Sequence, residues 1–265
     1  RTITMKVSAR DVSSPVGVYD RIGVTKIINA SGATTTVGGT LMVPEARAAM
    51  AEASQSFVVI SELNEKVGQA IAAATGAEAG YVTSGSASGM LLAVAACITG
   101  TDRTRARRLP DTTGMPNEVI THRCHHVSYE QMWRAPGATL VEIGGLNRTE
   151  AWELEGAISD RTAAIVWVDS FNVTDGALDF DTVLEIAHRH GKPVIVDAAS
   201  TLPPAGHLSR WIKRGADLVI YSGGKGIRGP QDSGLLAGRK DLIDAAVING
   251  SPNAGIGRGM KVSKE

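Results

Sequence analysis

This chain lacks any apolar stretch long enough to span a membrane, and its first residues are polar, without the apolar run of a signal peptide. The expectation is a cytoplasmic protein with no membrane partner. Cysteine is scarce. Cys97 and Cys124 are the only two, which excludes a disulfide framework and a cysteine-based metal cluster. Surplus charge is missing too. The 27 Lys and Arg are balanced by 27 Asp and Glu, so nothing favours a polyanionic partner such as nucleic acid. There is no internal repeat, no low-complexity tract and no break in composition that calls for a second domain. At 265 residues the chain is long enough to bury a full α/β core.

What is present is an alternation of short apolar runs with amphipathic segments. Strands are expected at 80–83, 118–121, 139–143, 163–168, 193–197, 217–221 and 234–237. Helices are expected from Pro44 through Ala53, from Glu62 to Thr75 with Gly76 as its stop, and at 87–98, 181–190 and 208–214. The pattern predicts an α/β fold: a mainly parallel seven-stranded sheet with helices on both faces. The last strand follows its neighbour so closely that an antiparallel pairing is expected. Residues 101–117, with Arg103, Arg105, Arg107 and Arg108, read as a long loop. It is either a lid or anion-binding loop or a solvated basic turn.

Three features carry chemistry. Ser222-Gly223-Gly224-Lys225-Gly226 follows an apolar strand. It is either a turn with a solvated lysine or a lysine placed to attack an aldehyde. On the second reading the glycines let a planar group approach the backbone. Asp197 ends the run Pro193-Val194-Ile195-Val196, so it sits where ligands collect in open α/β sheets. It is a cap, or the partner of a protonated pyridine nitrogen. Thr83-Ser84-Gly85-Ser86-Ala87-Ser88-Gly89 opens an apolar helix, and such a turn offers free amides to an anion. It has neither the P-loop ending nor the dinucleotide fingerprint. Together the three features point to pyridoxal 5′-phosphate as cofactor. The histidines 122, 125 and 126 lack a carboxylate pair at ligand spacing, so no metal is expected. His188 and His190 read as surface residues near a helix end.

The order of these features resembles the large domain of fold-type I pyridoxal-phosphate transferases. Ile28-Asn29-Ala30-Ser31-Gly32-Ala33, Ser222 through Gln231, and Gly257-Arg258-Gly259-Met260-Lys261 are similar to the selenocysteine synthase-like family. Within it, these and Leu109 through Met115 resemble the branch of D-glucosaminate-6-phosphate ammonia-lyases. The resemblance implies that Lys225 carries the cofactor covalently and that Asp197 holds the ring nitrogen. It implies that Ser84, Gly85, Ser86 and Ser222 bind the phosphate, and that His125 or His126 stacks on the ring. It divides the chain into an arm over 1–24 and a cofactor-binding large domain over 25–265, with the family's smaller C-terminal domain missing.

The expected reaction removes water and ammonia from a hydroxy amino acid or amino sugar acid, leaving a 2-keto acid. Lys225, freed by the substrate, is the natural base for the Cα proton. Arg228, Arg258 and Lys261 are candidates for substrate carboxylate or phosphate, and Asn172 for cofactor or substrate. The alternatives are an amino-acid racemase or epimerase, or a catalytically silent truncated subunit. The resemblance also implies a homodimer or larger homo-oligomer. A tRNA role is not expected.

Overall fold

A computed structural model describes residues 17–170 and 175–265. In chain order its elements are α1 (Val18–Arg21), α2 (Pro44–Ala53), α3 (Ile60–Thr75), β1 (Ala79–Thr83), α4 (Gly85–Thr99), α5 (Arg103–Arg108), β2 (Glu118–His122), α6 (Gln131–Arg134), β3 (Thr139–Ile143) and α7 (Ala151–Ala157). There follow β4 (Thr162–Val168), α8 (Phe180–Arg189), β5 (Val194–Asp197), α9 (Arg210–Lys213), β6 (Leu218–Ser222), β7 (Gly234–Gly238) and α10 (Lys240–Asn249). Each expected strand is present, with ends within one residue of those read from the sequence.

The strands form one sheet in the order β1-β7-β6-β5-β4-β2-β3. Only β7 runs against its neighbours; it pairs antiparallel with both β1 and β6. β4, β5 and most of β6 are buried residue by residue, as central parallel strands are. Their side chains alternate between two cores. Leu218 and Ile220 of β6 face the core made with α4 and α10, while Val219 and Tyr221 face the one made with α7, α8 and α9. The result is a three-layer αβα body.

Local chemistry explains the helix ends. Asp179 caps α8, its Oδ1 accepting from Thr182 N–H at 3.0 Å. Gly76 closes α3 at φ +76°, a left-handed value that glycine adopts freely. Residues 101–117 are not a bare loop. Asp102 Oδ1 accepts from the amides of Thr104 and Arg105 and starts α5, and buried Ala106, Leu109 and Met115 pin the segment to the body. α7 and α10 had no counterpart in the sequence reading. His188 is not simply a surface residue, because its Nε2 lies 2.8 Å from Oδ2 of buried Asp217.

The segment before β1 is different. α1 and α2 bury no residue, and Ile28, Leu41 and Phe57 are exposed at 69%, 86% and 102%.

Candidate active site

The parallel strands all point their C-terminal ends the same way, so the residues just beyond β1, β2, β4, β5 and β6 meet at one edge of the sheet. A cavity of about 580 Å³ opens there. Ser84, Gly85 and Ser86 reach it from the end of β1, His126 from beyond β2, and Asp197 and Lys225 from beyond β5 and β6. Among the described residues, Lys225 is the only lysine or arginine in its lining.

The serine turn begins α4. Gly85 has φ +74°, which a side chain would resist, and the Ser84 side chain makes no capping hydrogen bond. The first amides of this long, buried helix are therefore open to a ligand at its positive end. Ser88 turns inward instead, donating to the Ser84 carbonyl.

Asp197 is 7% exposed. Its Oδ1 accepts from Ala199 N–H at 3.0 Å. Burial pushes its carboxyl up to about 6, against the pull of that amide and of the Lys225 charge, and the Asp169 carboxylate adds to the rise. A buried carboxylate in this state gains from any cation brought against it.

Asp169, unassigned in the sequence reading, also lines the cavity. Trp211 Nε1–H donates to its Oδ2 at 2.7 Å, and its own amide donates to the Asp197 carbonyl at 2.9 Å. It stands one residue past β4, so the strand-end logic that picked Asp197 would have found it. Thr35, Ser200 and Gln231 are further lining residues to which the sequence reading gave no role.

The two candidate histidines part company. His126 lines the cavity, with its Nδ1 held 2.8 Å from Glu130 Oε2. His125 is fully buried beneath, outside the lining. Its Nδ1 accepts from Val168 N–H at 3.2 Å, and its ring stands edge-on to Trp167. Burial pushes it down to about 3 and His122 to about 4, so both are neutral.

The other candidates lie elsewhere. Ser222 is the last residue of β6, paired with Gly234, and is not in the lining. Arg228 adopts φ +59°, and its guanidinium Nε donates to the Leu41 carbonyl at 3.2 Å, away from the cavity. Arg258 and Lys261 are exposed and do not line it. Asn172 lies outside the described residues.

The lysine loop is closed on itself. Gly223 N–H donates to Ser233 O at 2.8 Å, and Gly229 N–H to Gly223 O at 2.8 Å. Its glycines make room for protein. A Cβ on Gly224 would lie 2.4 Å from Gln231 Cα, and one on Gly226 would lie 2.2 Å from the Leu202 carbonyl oxygen.

A family model described as SelA, L-seryl-tRNA selenium transferase, matches residues 27–252. The chain is 40% identical over 253 residues to the D-glucosaminate-6-phosphate ammonia lyase of Salmonella typhimurium, covering 94% of this chain and 66% of that protein. A solved structure of D-glucosaminate-6-phosphate ammonia-lyase superposes with a TM-score of 0.87 at 40% identity, over 94% of this chain and 66% of the other. A 5′-C-glycyluridine monooxygenase-decarboxylase from a Streptomyces species is 39% identical over 254 residues, covering 93% of this chain and 62% of that protein. The chain thus spans less than two thirds of the length of each of these relatives.

Proposed function

Because this chain belongs to the SelA family and has the fold-type I architecture of enzymes that use pyridoxal 5′-phosphate, we propose that it is an ammonia-lyase for amino sugar acids. One observation carries the reading: Lys225, Asp197 and the uncapped start of α4 converge on a single cavity. The residues fit the cofactor. Asp197, pushed up to about 6 by burial, regains its charge against a protonated ring nitrogen. The amides of α4 with Ser84, Gly85 and Ser86 would hold the cofactor phosphate. His126, which lines the same cavity, would cover one face of the ring. A volume of about 580 Å³ leaves space for a substrate beside it.

When bound, the cofactor draws electrons from the substrate α-carbon. The protein supplies the rest. Lys225 Nζ takes the proton from that carbon, and Asp197 keeps a proton on the ring nitrogen throughout. A hydroxyl on the neighbouring carbon would then leave as water, taking up the proton held on Lys225 Nζ. A second water enters at the α-carbon, so the net change is one amino acid to one 2-keto acid and one ammonia. D-glucosaminate 6-phosphate, named in the relative at 40% identity, has the required amino, hydroxyl and carboxylate groups.

Such a substrate brings several negative charges, while Lys225 is the only lysine or arginine in the lining among the described residues. A second copy of the chain, seated on the exposed apolar segment around Phe57, would make a homo-oligomer. No helix among the described residues is long and apolar enough to cross a membrane, and a cytoplasmic location belongs to the same reading.

A second reaction has nearly equal sequence support, since the monooxygenase-decarboxylase relative is 39% identical. The test is to load the protein with pyridoxal 5′-phosphate and supply D-glucosaminate 6-phosphate and hydroxy amino acids. Keto acid, ammonia, dioxygen uptake and carbon dioxide are measured together. Equal keto acid and ammonia without dioxygen uptake is the expected result, and Lys225→Ala abolishes it. Dioxygen uptake with carbon dioxide release overturns it in favour of the oxygenase. Inversion of the α-carbon without keto acid overturns it in favour of a racemase.

A further inference from the structure

Residues 34–43 form a strap across the lysine loop. Thr40 is its centre. The Thr40 amide donates to the Gly224 carbonyl at 3.2 Å. Its hydroxyl lies 3.0 Å from that same oxygen and 2.9 Å from the Lys225 carbonyl oxygen. These two carbonyls belong to the two peptide planes that meet at the Lys225 α-carbon. One hydroxyl shared between them fixes how those planes are rotated, and hence the direction in which the lysine side chain leaves the backbone.

The loop needs such a restraint. Four glycines at 223, 224, 226 and 229 give its backbone little intrinsic preference. Within the loop, the Lys225 carbonyl accepts from Arg228 N–H at 3.0 Å. Among the described residues, both donors to the Gly224 carbonyl come from Thr40. The strap is itself built for close approach. Gly39 has φ +66°, and a Cβ there would lie 2.9 Å from the Gly224 oxygen. Asn29 Nδ2 donates to the Gly39 carbonyl at 3.2 Å and to that of Gly32 at 2.9 Å, tying the strap to the turn that precedes it. Gln231 Nε2 donates to Thr35 O at 3.2 Å, and Val43 N–H to Arg228 O at 3.0 Å, tying both ends of the strap to the loop.

We infer that Thr40 is a positioning residue for Lys225: its hydroxyl clamps the carbonyls on either side of the lysine and aims the amine at the cofactor aldehyde. This rests on the reading of Lys225 as the cofactor-bearing residue. A group held in place reacts faster than one that must search, and a single lost hydrogen bond is worth on the order of tenfold in such a rate.

The experiment follows covalent capture rather than turnover. Cofactor-free protein is mixed with pyridoxal 5′-phosphate, quenched with borohydride at set times, and the fraction modified at Lys225 is read by peptide mass. Thr40→Val keeps the shape and removes the hydroxyl; Thr40→Ser keeps the hydroxyl. The expected result is capture slowed on the order of tenfold in Thr40→Val and within about twofold of wild type in Thr40→Ser, with melting temperatures lowered by no more than about 5 °C. Thr40→Ala replaces the valine variant if that one fails to fold. Wild-type rates in a folded variant without the hydroxyl overturn the clamp alone, as does equal slowing in the serine variant. No capture in the wild type overturns the reading of Lys225 and the clamp with it.

Discussion

Replacing Asp197 with asparagine in cofactor-free protein makes a pH-dependent gain in stability. The carboxyl rises on folding from 3.8 to about 6, with burial as the main cause. The folded state therefore holds the Asp197 proton more tightly than the unfolded chain. Its stabilising contribution is complete below about pH 4 and is lost as pH rises through about 6. Two pKa units correspond to about 3 kcal/mol in full, of which roughly 1.5 kcal/mol falls between pH 5 and pH 8. Asparagine does not titrate and keeps the shape. The Asp197→Asn protein should thus gain roughly 1.5 kcal/mol on wild type in going from pH 5 to pH 8, about 0.5 M in urea midpoint for a domain of this size. Equilibrium urea unfolding of both proteins at the two pH values measures it. Adding pyridoxal 5′-phosphate should reverse the order at pH 8, because the cationic ring nitrogen then pairs with the wild-type carboxylate. A difference between the two proteins that is the same at both pH values refutes the reasoning, since it would mean that the carboxylate is not penalised by its burial.

The lysine-loop glycines give a paired test. Gly226→Ala places a methyl 2.2 Å from the Leu202 carbonyl oxygen, backbone that cannot swing aside, and should cost about 1–3 kcal/mol. Gly229→Ala meets nothing closer than 3.4 Å and should melt within about 2 °C of wild type. Thermal melts of both decide whether these glycines serve packing. At the other end of the chain, Phe57→Asp removes the most exposed large apolar side chain described. It should leave the melting of the monomer unchanged and shift sedimentation toward smaller species. An unaltered sedimentation profile refutes the proposed contact between copies at this segment.

The sheet was legible because burial imposes a simple pattern. β4 and β5 are covered on both faces, so they read as unbroken apolar runs, and each stops at a polar residue on the cavity rim. Asp197 and Lys225 stand out for the same reason: polar groups at the ends of buried strands have few structural excuses. Asp169 obeys the same rule one residue past β4, where the sequence reading favours Asn172 instead. The strap was not legible. Thr40 acts through main-chain carbonyls 184 and 185 residues away, and a threonine after two glycines looks like any loop. Arg228 has a contact that its sequence position does not announce. Its place three residues after Lys225 suggests an anion partner, yet its backbone is left-handed, its carbonyl accepts from Val43 N–H and its guanidinium reaches the Leu41 carbonyl. It fastens the strap.

The glycines around Lys225 carry the most instructive difference. Read in sequence, they suggest a backbone laid bare so that a flat ring can come close. In the folded chain the space beside Gly223 is filled by Ser233, that beside Gly224 by Gln231, and that beside Gly226 by the Leu202 main chain. Protein atoms, then, occupy the room that the missing side chains leave. The lysine must reach the cavity along its own four-carbon stem rather than by bringing the backbone to the cofactor, so small rotations at its α-carbon are magnified at Nζ. Tight packing below and the Thr40 hydroxyl above restrict the same two peptide planes. A loop rich in glycine is in this way made rigid where the chemistry requires it, and flexibility inferred from composition alone would have the wrong sign.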